Sequence, residues 1–258
     1  MKSPLISIIT SVYNSSSTLQ RCIDSVSSQS WPYKEHIIID GGSNDGTFDI
    51  IKNNENKIKY WESKHDRGIY EAWNKGLNHI NGEWIIFLGA DDTFFCDNVL
   101  EKFIKKISEL KEIPMLAYGK IEQMDESGIS VCELGDTWEN SEKKFFTQMN
   151  IPHPGCFHHK KLFLQYGLFD EQFEIAGDYD LLLRFAHDFP PVYLPNFMVA
   201  KMQIGGISSN PSYFYKNLLE SKRAQLKNDV ASFSLMWHWR VIKHYVNHLF
   251  FSLIKKAD

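Results

Sequence analysis

Acidic side chains that follow apolar segments are the first candidates for chemistry in this sequence of 258 residues. Asp91 and Asp92 come after the apolar segment 84–88, and two adjacent carboxylates repel each other unless a cation or hydrogen-bond donors lie between them. Mg²⁺ and Mn²⁺ bind one or two carboxylates together with water and substrate phosphate. The pair is therefore a candidate metal site, whereas an isolated Asp-Asp is more typical of a solvated loop before a helix.

Asp40 begins a second polar segment, the glycine-rich residues 40–47. Glycine permits tight turns and the close approach of a ligand. The segment has neither the Gly-Lys-Ser/Thr ending of a P-loop nor the G-x-G-x-x-G spacing of a dinucleotide fingerprint, so ATPase and dehydrogenase activities lose their main support. Asp40 can accept hydrogen bonds from a base or a ribose, or it can close an Asx turn.

The third group of candidates lies in the second half of the chain. Asp178 begins a predicted helix, where a carboxylate is typical of an N-cap, and Asp180 and Arg184 are spaced to pair on that helix. His153 and His158 belong to a segment with three histidines. Their spacing matches no standard zinc site.

The fold that must position these residues is predicted from the alternation of apolar segments and helical periodicity. Strands are expected at residues 5–12, 36–39, 58–61 and 84–88, with helices at about 17–26, 69–80 and 98–110 between and after them. The first of these helices has a capping-box spacing at Ser17 and Gln20, and Asp97 is a candidate cap for the last. This order is typical of an α/β fold with a parallel sheet, in which ligands bind beyond the carboxyl ends of the strands.

The second half of the chain has a looser pattern. We expect a strand at 115–118, a hairpin at 125–128, a polar loop through 138–140 and a helix at 178–187 that ends before two prolines. Two further helices are predicted at about 213–227 and 231–255.

Composition excludes several classes of protein. Hydrophobic residues make up 43% and charged residues 23% of the chain, which is ordinary globular usage. The net charge of -4 argues against a nucleic-acid partner, although residues 211–258 carry +5 and the preceding body −9. Four cysteines without a CxxC pair indicate reduced thiols in a cytoplasm. No segment approaches the ~20 apolar residues of a membrane-spanning helix.

Four segments in this order resemble glycosyltransferase family 2, whose members have the GT-A fold. They are SIITSVYN at 7–14, IDGGSNDGT at 39–47, DRGIYEAWNKG at 66–76 and GEWIIFLGADD at 82–92. The resemblance covers about residues 4–207 and implies a Rossmann-like, mostly parallel sheet flanked by helices. A GT-A catalytic domain would then span 1–207, with a nucleotide-sugar half at about 1–112 and an acceptor half at about 113–207, followed by a C-terminal amphipathic helical extension at 208–258.

The resemblance also implies roles for individual residues. Tyr13 and Asp40 match positions that hold the uracil of a nucleotide sugar, and Asp92 matches the metal-binding member of the family's Asp-x-Asp element. Asp178 matches the catalytic base, and His153 and His158 lie in the segment on the acceptor or sugar side. The residues assigned to the nucleotide-sugar pocket are Thr10, Val12, Tyr13, Asp40, Asp66, Lys75 and Asp91.

The activity implied by the resemblance is an inverting, metal-dependent transfer of a hexose or N-acetylhexosamine from a UDP-sugar to a hydroxyl group. The metal would be Mn²⁺ or Mg²⁺, which neutralises the departing diphosphate, and one base would take the proton of the incoming hydroxyl. The implied acceptor is a glycan or a polyprenyl-diphosphate-linked oligosaccharide, in the synthesis of a bacterial surface polysaccharide such as the O-antigen of lipopolysaccharide.

Two other functions remain open at this point. A sugar-phosphate nucleotidyltransferase also needs a nucleotide pocket and metal-binding carboxylates, although its glycine-rich, basic phosphate loop is not apparent. A non-catalytic carbohydrate-binding subunit is a further alternative, because Gly89 and Gly177 stand where the family has acidic residues.

The last predicted helix has an apolar stripe with nearby basic residues. Such a helix packs on protein, or it rests on an anionic membrane surface. The second alternative would place residues 230–258 on the inner face of the cell membrane, in an otherwise cytoplasmic protein.

Overall fold

Strands and helices alternate through the first hundred residues, as the apolar pattern predicts. The computed structural model describes residues 3–206 and 211–230. Its first elements are β1 (Ile6–Val12), α1 (Leu19–Ser27), β2 (Lys34–Asp40), α2 (Thr47–Asn53), β3 (Tyr60–Ser63), α3 (Ile69–Leu77) and β4 (Trp84–Phe87). The β1, β2, β3 and β4 strands are all parallel to their neighbours in this group.

The later elements add antiparallel strands. They are β5 (Thr93–Phe94), α4 (Val99–Ser108), β6 (Leu116–Met124), β7 (Ser130–Leu134), α5 (Trp138–Phe145), β8 (Cys156–His159), α6 (Lys160–Tyr166), α7 (Gly177–Ala186), β9 (Val192–Gln203) and α8 (Phe214–Lys227). Within the described residues the strand order is β3-β2-β1-β4-β8-β6-β9-β5, with β7 paired to β6. The sheet is therefore an α/β sheet that is parallel up to β4 and mixed beyond it.

The side chains of β1 alternate between the two faces of the sheet, and each face is covered by a different group of helices. Ile8 packs with the apolar side chains of α1 and α4 on one face, and Ile9 packs with those of α3 and α7 on the other. Successive side chains of a strand point to opposite faces, so β1 is buried on both. This explains why its sequence is an almost continuous apolar segment.

Three local expectations are wrong, and the first is the cap at Asp97, because α4 begins after Asn98 without a side-chain cap. Residues 138–140 do not lie in a polar loop but begin α5, which is capped by the side chain of Thr137 and buries Phe145. Helix α1 begins after Thr18 without a side-chain cap, so Ser17 and Gln20 form no capping box. The single fully buried aromatic of α5 is too weak a periodic signal to predict a helix.

Helix α8 packs against α7 through a buried carboxylate. Asp180 of α7 pairs with Arg184, as its spacing predicts, and it also contacts Lys227 at 3.0 Å and accepts a hydrogen bond from Asn228. These contacts fix α8, which belongs to the predicted C-terminal extension, on α7. The helix predicted at 231–255 lies outside the described residues, and within them no helix has the length and apolar character needed to cross a bilayer.

Candidate active site

The two adjacent carboxylates lie just beyond β4, as expected. Asp92 is buried, and its Oδ1 accepts a hydrogen bond of 3.1 Å from the main-chain N–H of Gln203, at the end of β9. A Cβ atom at Gly89 would lie 2.8 Å from a carboxylate oxygen of both Asp91 and Asp92. The absence of a side chain at Gly89 therefore leaves room for both carboxylates to face the same space.

The electrostatics of this pair fit a divalent cation. Burial raises the pKa of Asp91, and burial together with the neighbouring charge of Asp91 raises the pKa of Asp92. Two carboxylates that resist ionisation together gain free energy from a cation placed between them. The part of the chain that the structure describes has no cluster of three or more potential metal-binding side chains, so water and substrate phosphate would complete the coordination of Mg²⁺ or Mn²⁺.

Asp178 lies in the first turn of α7. Its Oδ1 accepts a 2.8 Å hydrogen bond from the N–H of Tyr179 and a longer one, 3.4 Å, from the hydroxyl of Tyr70. Burial raises the pKa of Asp178 to about 6, against the effect of these hydrogen bonds. A carboxylate with a pKa near neutrality is suited to accept a proton at physiological pH.

One cavity of about 210 Å³ brings the principal candidates together. Asp91, Asp92, His153 and Asp178 all line it, although they come from sequence segments almost ninety residues apart. Two adjacent carboxylates and a third from a distant segment therefore line a common space. This is the arrangement that metal-assisted transfer to a hydroxyl group requires.

His153 reaches this cavity with a neutral ring. It stacks on Trp73 of α3 with ring centroids 4.8 Å apart, and burial, followed by the nearby His158, holds its pKa well below the usual value. Its Nε2 is buried and has no hydrogen-bond partner in the described structure. A buried polar atom without a partner is uncommon, and this one belongs to a ring that lines the cavity.

A second cleft of about 390 Å³ lies beyond the ends of β1, β2 and β3. Val12, Tyr13 and Asp66 line it, together with Ser11, Gly41, His65, Gly68, Ile69 and Ala72. Ile69 also lines the cavity with the carboxylates, so the two spaces are adjacent. Burial raises the pKa of Asp66, while its hydrogen bond from Gly68 and the charge of Lys75 oppose the shift.

Four other predicted site residues have different surroundings. The hydroxyl of Thr10 lies in the core, 3.0 Å from Nε2 of His36, and His158 is fully buried, so neither side chain lines the cavity or the cleft. Asp40 accepts a 2.6 Å hydrogen bond from Ser63 and shapes its own loop. Lys75 pairs with Glu71 at 3.1 Å and does not line the cleft.

Gly177 is the second glycine that replaces an expected acid, and a steric contact explains why no side chain fits there. A Cβ atom there would lie 2.8 Å from the ring of Tyr70, and the Tyr70 hydroxyl donates a 2.7 Å hydrogen bond to the carbonyl of Ile175. Tyr70 therefore occupies the space that a side chain at residue 177 would need, and it contacts Asp178 from there.

The sequence profile of Glycosyl transferase family 2 matches residues 7–165, which include most of β1, the acidic pair and His153. The chain belongs to glycosyltransferase family 2. An uncharacterized glycosyltransferase of Mycobacterium tuberculosis is 28% identical over 83% of this chain and 82% of its own length. The PGL/p-HBAD biosynthesis glycosyltransferase of Mycobacterium bovis is 27% identical over 88% of this chain and 89% of its own.

Solved structures identify the fold of this family 2 chain as GT-A. TarS 1-349 of Staphylococcus aureus in complex with UDP superposes with a TM-score of 0.66 and 19% identity, over 91% of this chain and 68% of that chain. The present chain covers only 39% of a longer TarS chain. The mannosyltransferase PcManGT of Pyrobaculum calidifontis, in complex with GDP-Man and Mn²⁺, has a TM-score of 0.59 at 13% identity over 96% of this chain and 81% of its own.

Three contributors to the family 2 site were missed by sequence reasoning. Tyr70 and Trp73 are three residues apart on α3 and line the cavity, but an apolar pair with that spacing is typical of a helix that packs on a sheet. Gln203 acts through its main-chain N–H, which leaves no mark in the sequence.

Proposed function

We propose that this family 2 glycosyltransferase transfers a hexose or N-acetylhexosamine from a UDP-sugar to a hydroxyl group of a glycan, with inversion at the anomeric carbon. The observation that carries the proposal is the single cavity in which Asp91 and Asp92 face Asp178. The adjacent cleft at Tyr13 and Asp66 would hold the nucleotide. Complexes of the TarS neighbour with UDP and UDP-GlcNAc support a UDP-linked donor.

Residues of this chain would have separate roles in a single-displacement reaction. Asp178 accepts the proton of the acceptor hydroxyl as that oxygen attacks the anomeric carbon, and it needs no covalent intermediate on the protein. His153 is neutral and offers Nε2 to a hydroxyl of either sugar. Asp91 and Asp92 would hold Mn²⁺ or Mg²⁺, which supplies positive charge to the departing diphosphate.

The acceptor would approach through a wide groove of about 880 Å³ that opens on Asp178 and His153. Its lining includes seven uncharged polar side chains: Gln123, Asn140, Ser141, Gln148, Asn150, Asn217 and Ser221. Oδ1 of Asn150 is buried without a hydrogen-bond partner in the described structure. Amides and hydroxyls in this number suit a polyhydroxylated acceptor, which favours a glycan, free or carried on polyprenyl diphosphate.

The first test needs no acceptor, because a ligand that binds only the native state raises its melting temperature. We expect UDP with Mn²⁺ to raise the melting temperature, GDP to raise it less, and a chelator to remove the effect. Release of UDP from a panel of UDP-hexoses and UDP-N-acetylhexosamines then identifies the donor. Release of pyrophosphate instead would point to nucleotidyl transfer, and binding without any release would point to a non-catalytic subunit.

The role of Asp178 is tested by Asp178→Asn, with Asp188→Asn as the matched control at the exposed end of α7. The Asp178 variant should keep the UDP-dependent rise in melting temperature and lose at least 100-fold in UDP release, on the order of the contribution of general base catalysis. The control should match the wild type. Turnover near the wild-type rate in Asp178→Asn would overturn the assignment of the base.

A role at the cytoplasmic face of a membrane, in the synthesis of a surface polysaccharide such as O-antigen, is also proposed from the basic, amphipathic residues 230–258. Flotation with anionic liposomes tests this part. Binding that disappears when residues 231–258 are deleted supports it, and failure of the full chain to float removes it.

A further inference from the structure

The segment that leads into α7 is held by a side chain from α8. Helix α7 begins at Gly177, and its N-cap residue Ala176 contributes no side-chain cap. The main-chain N–H groups of Glu174, Ile175 and Ala176 all point to the carboxylate of Glu220. The last of these three residues, Ala176, is two positions before Asp178.

The geometry of this contact is close. Oε2 of Glu220 accepts hydrogen bonds of 2.8 Å from Ile175, 3.0 Å from Ala176 and 3.1 Å from Glu174. The carboxylate is buried, and hydrogen bonds to an ionised acceptor are about twice as strong as neutral ones. Glu220 is also the one acidic residue of α8, so no neighbouring carboxylate on that helix can replace it.

The same segment connects Glu220 with the other support of Asp178. The carbonyl of Ile175 accepts the 2.7 Å hydrogen bond of Tyr70, whose hydroxyl is also 3.4 Å from Oδ1 of Asp178. Residues 174–176 are thus bonded through their N–H groups to α8 and through one carbonyl to α3. A displacement of this segment would move Tyr70 and the start of α7 together.

We propose that Glu220 is a positioning residue for glycosyl transfer: its carboxylate holds residues 174–176 and thereby sets the position of Asp178 in the cavity. This inference rests on the proposed role of Asp178 as the base. It assigns a function in catalysis to α8, which lies outside the residues that match the family profile. Glu220 itself does not line the cavity, so it acts through the segment it binds.

The charge of Glu220 gives the proposal a signature in the pH profile. Burial raises the pKa of Asp178, and the negative charge of Glu220 raises it further, against the hydrogen bonds from Tyr179 and Tyr70. Removal of this charge should therefore lower the pKa of the base. Substitution of Glu220 leaves the other titratable groups near Asp178 in place. The groups that contact Asp178, line its cavity or interact with its charge are Tyr70, Asp91, Asp92, His153, Cys156 and Glu174.

Two substitutions separate the charge from the hydrogen bonds. Glu220→Gln keeps one oxygen that can accept from the three N–H groups but removes the charge, whereas Glu220→Ala removes both. Lys216→Met is the matched control, because Lys216 joins α8 to the same segment through an exposed ion pair with Glu174. All are measured in the full chain for UDP release against pH, donor KM, and melting temperature with UDP and Mn²⁺.

We expect Glu220→Ala to lose about tenfold or more in kcat, the order of effect of a small misplacement of a reacting group, with donor KM and the UDP-dependent rise in melting temperature unchanged. Glu220→Gln should lose less kcat, and the acidic limb of its pH profile should move to lower pH. Lys216→Met should behave as the wild type.

The proposal is overturned if folded Glu220→Ala keeps the wild-type kcat, or if the acidic limb of Glu220→Gln stays in place. It is also overturned if the substitutions change only donor KM. A wild-type protein that binds UDP but releases none from any sugar donor refutes the proposed function, and this inference with it. Active wild type with unaffected Glu220 variants refutes the inference alone.

Discussion

Replacement of Asp178, the proposed base, should make the protein more stable while it removes activity. In Asp178→Asn the side chain keeps its shape and its Oδ1, which accepts the N–H of Tyr179, but it no longer carries a charge into a buried site. The pKa of Asp178 is raised from 3.8 to about 6, so the ionised carboxylate is disfavoured in the native state. The substitution removes that cost.

The size of the effect follows from the shift in pKa. Each pKa unit corresponds to about 1.4 kcal/mol, and the shift from 3.8 to about 6 sets an upper value of about 3 kcal/mol. Part of Asp178 faces the cavity, and solvent screening there reduces the gain to about 1–3 kcal/mol. Since each kcal/mol changes the melting temperature by about 2–4 °C in a chain of this size, the increase should be easy to measure.

The sign of the pH dependence is fixed by the direction of the shift. Because the pKa of Asp178 is higher in the native state, that state binds more protons between about pH 4 and pH 6, and wild-type stability falls as pH rises through this window. Asparagine does not titrate. The stability difference between variant and wild type should therefore be near zero at pH 4 and reach its maximum above pH 6.

Urea unfolding of both proteins without ligand, at pH 4 and pH 7.5, measures this difference. Asp188→Asn, an exposed carboxylate beyond the end of α7, should change stability by no more than about 0.5 kcal/mol at either pH. The reasoning is refuted if Asp178→Asn is less stable than the wild type at pH 7.5. It is equally refuted if the difference is the same at both pH values.

Four further outcomes are expected. Asp92→Asn should abolish the Mn²⁺-dependent part of the stabilisation by UDP, which is about 2.7 kcal/mol for the wild type at a ligand concentration of 100 Kd. Gly89→Ala should weaken metal binding at least about tenfold by titration, because its Cβ atom would lie 2.8 Å from oxygens of both carboxylates. Gly177→Ala should lose about 1–3 kcal/mol in urea unfolding through its contact with Tyr70. In the wild type, kcat/KM should fall about tenfold between pH 7 and pH 5 as Asp178, with a pKa of about 6, is protonated.

Each of these outcomes has a clear contrary result. An Asp92→Asn protein that still responds to Mn²⁺ would remove the metal from the acidic pair, and unchanged metal affinity in Gly89→Ala would remove the steric account of that glycine. Restored stability in Gly177→Ala combined with Tyr70→Leu would identify the ring as the cause of the loss, and no restoration would contradict it. A flat pH profile down to pH 5 would exclude a base with the pKa of Asp178.

The first half of the fold is predictable because parallel strands buried on both faces leave long apolar segments in the sequence. The candidate acids at strand ends follow from the same pattern, since ligands of such sheets bind beyond the carboxyl ends. The acidic pair and Asp178 do meet in one cavity. That meeting depends on the antiparallel strands between them, and their order in the sheet has no local sequence signal.

Strand alternation explains why the side chain of Thr10 lies in the core. Thr10 lies two residues after Ile8 on β1, so both point toward α1, while Ser11 points to the other side and lines the cleft at Tyr13 and Asp66. The contribution of Glu220, in contrast, could not be predicted from the sequence. Its partners are main-chain N–H groups more than forty residues earlier, and any residue other than proline could supply them.

The ring of Tyr70 over Gly177 ties these two positions together in evolution. A glutamate at residue 177 cannot be accommodated while Tyr70 keeps its place, because the first atom of the new side chain would already overlap the ring. A lineage that gains or loses the acid before Asp178 must therefore change the residue at position 70 at nearly the same time. Among homologues, an acidic residue at 177 should covary with a smaller side chain at 70, and the aromatic-glycine pair should mark a separate branch of the family.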